Sequence, residues 1–261
     1  LLSRCVELIR SKSTYPHFEI IVVDNGNLAS DTSETLSRAG CRFVHFLDKV
    51  PNVARKMNMG ARVAKGDHLV FLNDDTEVIS PDWIEAMLQY SQQPDIGAVG
   101  AKLYYEDGSI QHAGVTLNDD GLPDYLCRGF PGTEPGYFFS LVVSRPCLAV
   151  TGACLMTKRV LFEQIGGFDE ALAMSYNDID FCLKLHAAGY RNVFTPHARL
   201  FHYEFISRAR TVDFSESDLF LQRWHTKVPR DPYYSIHLDT YPPSYRIRRF
   251  PFPQGGNTAS A

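Results

Sequence analysis

Apolar and polar positions change period several times along the chain. Residues 18–23 form a short apolar run that ends in Asp24-Asn25-Gly26, which predicts a buried parallel strand and then a turn. Before it, Leu2, Cys5, Val6 and Ile9 line one side of an amphipathic helix over 1–11. Asp31 followed by Glu34 resembles a capping box, and Gly40 stops that second helix. Residues 41–47 predict another strand. Over 53–64, Val53, Met57, Gly60, Ala61 and Ala64 share one side of a helix that Gly66 ends. Residues 68–72 are then a third strand. Strands alternating with helices predict a parallel sheet covered by helices, with ligands bound beyond the carboxyl ends of the strands. Asp24 and Asn73-Asp74-Asp75 both hold such a position.

Further on, Ser80-Pro81 reads as a helix start, with an N-cap serine and proline at the first helical position. That helix runs to about residue 93. Strands follow over 96–105 and, through a tight turn at Asp107-Gly108, over 110–117. Residues 118–136 are rich in Gly, Pro and Asp and predict a mobile loop. Residues 150–156 predict a strand and 158–165 a short helix ended by Gly166-Gly167. Ile179, Cys182, Leu183 and His186 lie on one face of a helix over 178–188. Residues 192–202 are extended and interrupted by Pro196. From Thr226 onward prolines and scattered tyrosines replace any period and predict an extended arm. The expected organisation is one domain over 1–225 and the arm over 226–261.

Composition narrows this picture without redirecting it. Of 261 residues, 44% are hydrophobic and 21% charged, as in ordinary globular domains. The net charge of −4 argues against a nucleic-acid partner, which needs a basic face. No run reaches the roughly 18 apolar residues of a membrane helix. The six cysteines show no CxxC spacing, so buried free thiols in a cytoplasmic protein are expected, and no zinc site.

The candidate chemistry lies in two acidic clusters, Asn73-Asp74-Asp75 and Asn177-Asp178-Ile179-Asp180. Oxygen ligands at a strand end suit a hard divalent ion, Mg²⁺ or Mn²⁺, of the kind that holds a diphosphate. Either cluster alone also reads as carboxylates at a turn or at a helix N-terminus.

Taken together, the stretches IIVVDNG, NVARKMNMGARVAKGDHLVFLNDDTEV, IQHAGV, VTGACLM, GGFDEALAMSYNDIDFCLKLHAAGYR and LFHYEFISR resemble, in the same order, the family 2 glycosyltransferases of the GT-A fold. The likeness is to the bacterial branch that builds O-antigen and other surface polysaccharides, rhamnosyltransferases among them. It implies an α/β fold with a mixed, mainly parallel sheet flanked by helices, with a nucleotide-binding half over about 1–105 and an acceptor half over about 106–225. It also implies metal-dependent, inverting transfer from a dTDP-, UDP- or GDP-sugar to a glycan or lipid-linked acceptor, at most peripherally at the inner face of the membrane. Asn73-Asp74-Asp75 corresponds to the family's DxD element: Asp75 would ligate the metal, and Asn73 and Asp74 would contact the ribose or the metal's water shell. Asp178 would be the general base, with Asn177 before it. Asp24 would contact the nucleotide, or else cap the turn before Gly26. Arg55 and Arg208 are candidates for the diphosphate, and His202 for an additional metal ligand. Asp180, His112, Gly152 and Asn177 would line the acceptor side, or else pack within the frame.

Two departures stand out. Amides replace the first acid in both motifs, at Asn73 and Asn177. The family's opening strand, of the type SIVIPTYN, is not seen before the first helix, so the expectation is a chain truncated there, with the first strand of the sheet missing. A non-catalytic binding module on the same fold is the alternative that this departure keeps open.

Overall fold

Alternation along one strand sets the two sides of the molecule. Leu69 and Phe71 belong to one apolar cluster, while Val70 and Leu72 pack against another. A computed structural model describes residues 1–203 and 214–248. In order, the elements are α1 (Leu2–Lys12), β1 (Ile20–Asp24), α2 (Ser30–Arg38), β2 (Cys41–His45), α3 (Val53–Val63), β3 (His68–Leu72), β4 (Thr76–Val78), α4 (Trp83–Ser91) and β5 (Ile96–Tyr104). There follow β6 (Ile110–His112), β7 (Val115–Leu117), β8 (Pro123–Tyr125), β9 (Arg145–Cys147), β10 (Cys154–Lys158), α5 (Arg159–Ile165), α6 (Asn177–Ala187), β11 (Arg191–His202), α7 (Phe214–Trp224), β12 (Leu238–Thr240) and β13 (Pro243–Ile247).

The main sheet is mixed, in the order β3-β10-β5-β11-β4, with β6 added on β5 and β9 on β11. One face carries α1 and α4 through Cys5, Ile9, Trp83, Ile84 and Met87. The other carries α5, α6 and α7 over an aromatic cluster in which Phe71 and Phe168 lie 4.7 Å apart and Phe168 and Phe181 5.2 Å apart. All six cysteines are buried free thiols, as their apolar surroundings predict.

The α/β sheet between helices agrees with the sequence reading, but its pairing is less parallel than the alternating order predicts. Among the described residues only β5–β11 and β1–β2 are parallel pairs. β10 lies antiparallel between β3 and β5, and β4 lies antiparallel to β11. Hydropathy period reports that a strand exists, not which strand becomes its neighbour. Among the described residues β1 pairs only with β2, forming a small sheet apart from β3.

Several local expectations are corrected. Ser80 does not cap α4. Its hydroxyl donates to His197 O and accepts from Arg199 N, each at 2.8 Å, and so holds the bulge that Pro196 makes in β11. Asp31 forms no capping box: it accepts from Thr32 N, and Glu34 pairs with Arg38. The 118–136 stretch is ordered by the β7–β8 hairpin, which brings Leu126 and Cys127 into the core. Nor do residues 226–248 leave the domain as an arm. Val228 and Tyr234 are buried, β12 and β13 form a hairpin, and Cys127 N donates to Pro243 O at 2.8 Å.

Candidate active site

The chain turns sharply as β3 ends, because β4 must pair with β11 while β3 pairs with β10. Thr76 Oγ1 donates to Asn73 O at 2.8 Å and closes the turn. Asp74 is left exposed, and Asp75 is turned inward to 8% exposure. Thr76 pairs with His202 across the β4–β11 ladder, so the turn sits against the end of β11. His202 Nε2 lies 3.1 Å from Asp75 Oδ1 and 3.1 Å from Asn73 Nδ2. The sequence-predicted metal residues therefore meet, with the asparagine of the altered DxD element beside them.

These atoms suit a divalent cation. Two ligands at right angles, each about 2.1 Å from an octahedral ion, lie about 3 Å apart. An imidazole nitrogen and a carboxylate oxygen form a donor set that Mn²⁺ accepts. Among the described residues no group of three or more His, Cys, Asp and Glu side chains converges on one point. Among the described residues a cation here would thus have two protein ligands.

The second acidic cluster reaches the same place through one small turn, Thr151-Gly152-Ala153. Asn73 N donates to Ala153 O at 3.1 Å, and Gly152 N donates to Asp178 Oδ2 at 2.7 Å. A Cβ on Gly152 would stand 3.2 Å from Asp178 Cβ, so glycine permits this approach. Asp178 is one of two first-turn carboxylates of α6 and also accepts from Ile179 N at 2.8 Å. Burial raises its pKa above the ordinary carboxylate value, against the opposing pull of the Gly152 and Ile179 amides.

Other predicted site residues lie elsewhere. Asp180 is fully buried on the far side of α6, where Oδ1 accepts from Arg223 Nη1 at 2.6 Å and Trp224 Nε1 at 2.9 Å. It cannot line an acceptor, because two residues along a helix is more than half a turn. Asn177 is buried and donates to Leu172 O, which removes it from the acceptor side as well. His112 is wholly buried: Nδ1 bonds Ala101 O, and Nε2 accepts from Gly114 N and Thr151 N. Both ring nitrogens are used, so it frames the 151–153 turn and contacts no acceptor. Arg55 is half exposed and shared between Asp48 and Glu170, a pairing that ties the start of α3 to the 169–173 segment. Asp24 closes β1, with its carboxylate 3.7 Å from His45 Nδ1. Arg208 lies outside the described residues.

Three supporting residues escaped the sequence reading. Gln111 bonds His202, Thr151 takes Tyr125 OH at 3.0 Å, and Glu216 accepts from Met174 N and Ser175 N just before Asp178. Gln111 and Thr151 stand inside quoted motifs. Glu216 lies in a stretch for which the sequence reading predicts no element.

A mixed sheet in this strand order, with helices on both faces, is the architecture of GT-A glycosyltransferases. Solved structures bear this out at the level of fold. GalNAc-T7 with UDP, GalNAc and Mn²⁺ superposes with a TM-score of 0.60 at 17% identity, over 79% of this chain and 42% of that one. The mannosyltransferase PcManGT of Pyrobaculum calidifontis with GDP-Man and Mn²⁺ gives 0.55 at 16% identity, over 79% and 54%. Residues 1–166 match glycosyl transferase family 2, and the chain belongs to that family. It is 41% identical to the uncharacterized protein y4gI of Sinorhizobium fredii, over 91% of this chain and 28% of that protein. It is 34% identical to the O-antigen biosynthesis protein RfbC of Myxococcus xanthus, over 96% and 20%. With the N-acetylglucosaminyl-diphospho-decaprenol L-rhamnosyltransferase of Mycobacterium tuberculosis it shares 29% identity, over 55% and 49%. The chain thus spans less than a third of the length of the first two relatives. No described helix is long and apolar enough to cross a membrane.

Proposed function

We propose that this chain transfers a sugar from a nucleoside-diphosphate donor to a hydroxyl of a glycan or lipid-linked acceptor in bacterial surface-polysaccharide synthesis, with inversion at the anomeric carbon. The observation that carries this reading is the Thr151-Gly152-Ala153 turn, which bonds Asn73 by one carbonyl and Asp178 by one amide. A carboxylate is thereby held next to the turn that carries Asp75. Asp178 takes the proton of the acceptor hydroxyl as that oxygen attacks the anomeric carbon, and the diphosphate departs from the opposite face with the bonding pair. Asp75 and His202 would hold a divalent cation, which when bound neutralises charge on the departing diphosphate. Asp74, exposed at the same turn, and Asp24, closing β1, are the carboxylates we assign to the ribose and base. The Mn²⁺ and the nucleotides in the two superposed structures support a cation and a nucleotide donor of this class.

Release of nucleoside diphosphate from a panel of dTDP-, UDP- and GDP-sugars, with Mn²⁺ or Mg²⁺ and candidate glycan acceptors, tests the proposal. Asp178→Asn should lower turnover by about 10²–10⁴-fold without loss of donor binding. Asp75→Ala should weaken both donor binding and turnover. Because burial raises the Asp178 pKa, the rate should fall on the acid side at a pH above the ordinary carboxylate range. Undiminished turnover in both folded variants would refute the assignment.

A further inference from the structure

Gln111 has no part in the reading above, yet its side chain is buried to 1% exposure beside the cation residues. β6 continues the edge of β5 that β10 leaves after Gly100, and β11 occupies the opposite edge. Gln111 reaches across β5 and engages one residue of β11 twice. Its Nε2 donates to the backbone carbonyl of His202 at 3.2 Å, and its Oε1 lies 2.7 Å from His202 Nδ1.

These two contacts fix the proton. A backbone carbonyl only accepts, so the end of the amide that faces it must be NH₂. The end that faces Nδ1 is then the carbonyl oxygen, which also only accepts, and Nδ1 must carry the hydrogen. In the neutral ring Nε2 is left with its lone pair, 3.1 Å from Asp75 Oδ1 and from the Asn73 amide nitrogen. Asn73 Nδ2 can donate to that lone pair, whereas Asp75 Oδ1 brings a second one. Two lone pairs at this separation repel unless an electrophile lies between them.

We propose that Gln111 is a positioning residue that holds His202 in the Nδ1–H tautomer and aims Nε2 beside Asp75 Oδ1, so that these two ligands of one divalent cation are set before it arrives. The tautomer follows from the hydrogen bonds alone, and its use rests on the cation reading given under Proposed function. Metal-binding imidazoles are generally oriented by an acceptor on the other nitrogen, and losing that partner costs about 10–100-fold in metal affinity.

The test uses the whole chain, labelled with ¹⁵N-histidine, free of metal and at alkaline pH. Ring-nitrogen shifts should report the Nδ1–H tautomer at His202 in the wild type, where Gln111 supplies the acceptor. Gln111→Met, which removes it, should populate both tautomers. Titration with Mn²⁺, followed by electron paramagnetic resonance with UDP and with GDP, should show affinity about 10–100-fold weaker in Gln111→Met than in the wild type. An Nε2–H tautomer in the wild type overturns the proposal, and this result is readable even if Gln111→Met does not fold. Wild-type affinity in a folded Gln111→Met protein overturns it as well. A wild type with the Nδ1–H tautomer that takes up no Mn²⁺ overturns the cation reading, and with it the purpose assigned to Gln111, while the tautomer stands.

Discussion

His112 shows how much of the site is frame. Its Nε2 accepts two backbone amides, from Gly114 and Thr151, so a proton on that nitrogen would break both bonds. Burial, aided by nearby Arg145, pushes its pKa down to about 4 from an ordinary 6.5. A base whose pKa is lower in the folded state binds protons preferentially when unfolded. Its contribution to stability is therefore intact above pH 6.5 and is lost as pH falls from there towards 4. At about 1.4 kcal/mol per pKa unit, the loss approaches about 3 kcal/mol. Urea denaturation at a series of pH values should show this decline, and His112→Asn, less stable at neutral pH, should lack it. Gly152 is the companion case. A methyl group there would press on Asp178 Cβ at 3.2 Å, in a turn already bonded at both ends. Gly152→Ala should lower turnover by about 10²-fold, the scale of a small misplacement of a reacting group, with little change in urea midpoint. Asp178 and Gly152 stood out in the sequence as a motif acid and a strand glycine. That they touch did not, because no local pattern relates residues on separate elements.

Helices α6 and α7 act as a pair. Asp178 faces the glycine turn, whereas Asp180 faces α7, where it meets Arg223 and Trp224. Glu216, Phe220, Arg223 and Trp224 follow helical spacing and form one gripping face. Glu216 holds Met174 N and Ser175 N, Phe220 stacks on Tyr176 at 5.2 Å, and Arg223 also takes Asp169 at 2.7 Å. Removing one partner from a buried ion pair strands the other charge, so Asp180→Ala should cost about 3–5 kcal/mol in urea denaturation. Loss of activity in that variant should track unfolding, unlike Asp178→Asn, which should stay folded. Two like carboxylates in one motif could not be sorted by residue type. Helical geometry separates them, and only the docked α7 shows what the second one does.

For the molecule as a whole, the core extends past the family match. Tyr245 stacks on Tyr137 at 5.8 Å, and the β12–β13 hairpin bonds the Cys127 turn. A chain ended after residue 225 would expose the surfaces that Val228, Tyr234 and Tyr245 cover. Such a truncation should melt at lower temperature by differential scanning calorimetry and tend to aggregate. A tail that was a separate arm would leave the melting temperature unchanged. The absence of a hydropathy period after Thr226 suggested such an arm. Short strands of three and five residues carry too little pattern to read otherwise.

What the sequence determined by itself is what depends on near neighbours. The elements from β1 to β3, the helix that carries Asp178, the burial of the cysteines and the family all follow from period, turn residues and motif order. Tertiary structure alone decided the rest: that β10 separates β3 from β5, that Asp75 meets His202, that one three-residue turn bonds both acidic motifs, and that His112, Asn177 and Asp180 belong to the frame. The reason is physical. Period and capping are set by interactions within a few residues, whereas a site is set by which strand edges pair and which buried polar groups must find partners, and those conditions are met only when distant segments are packed together.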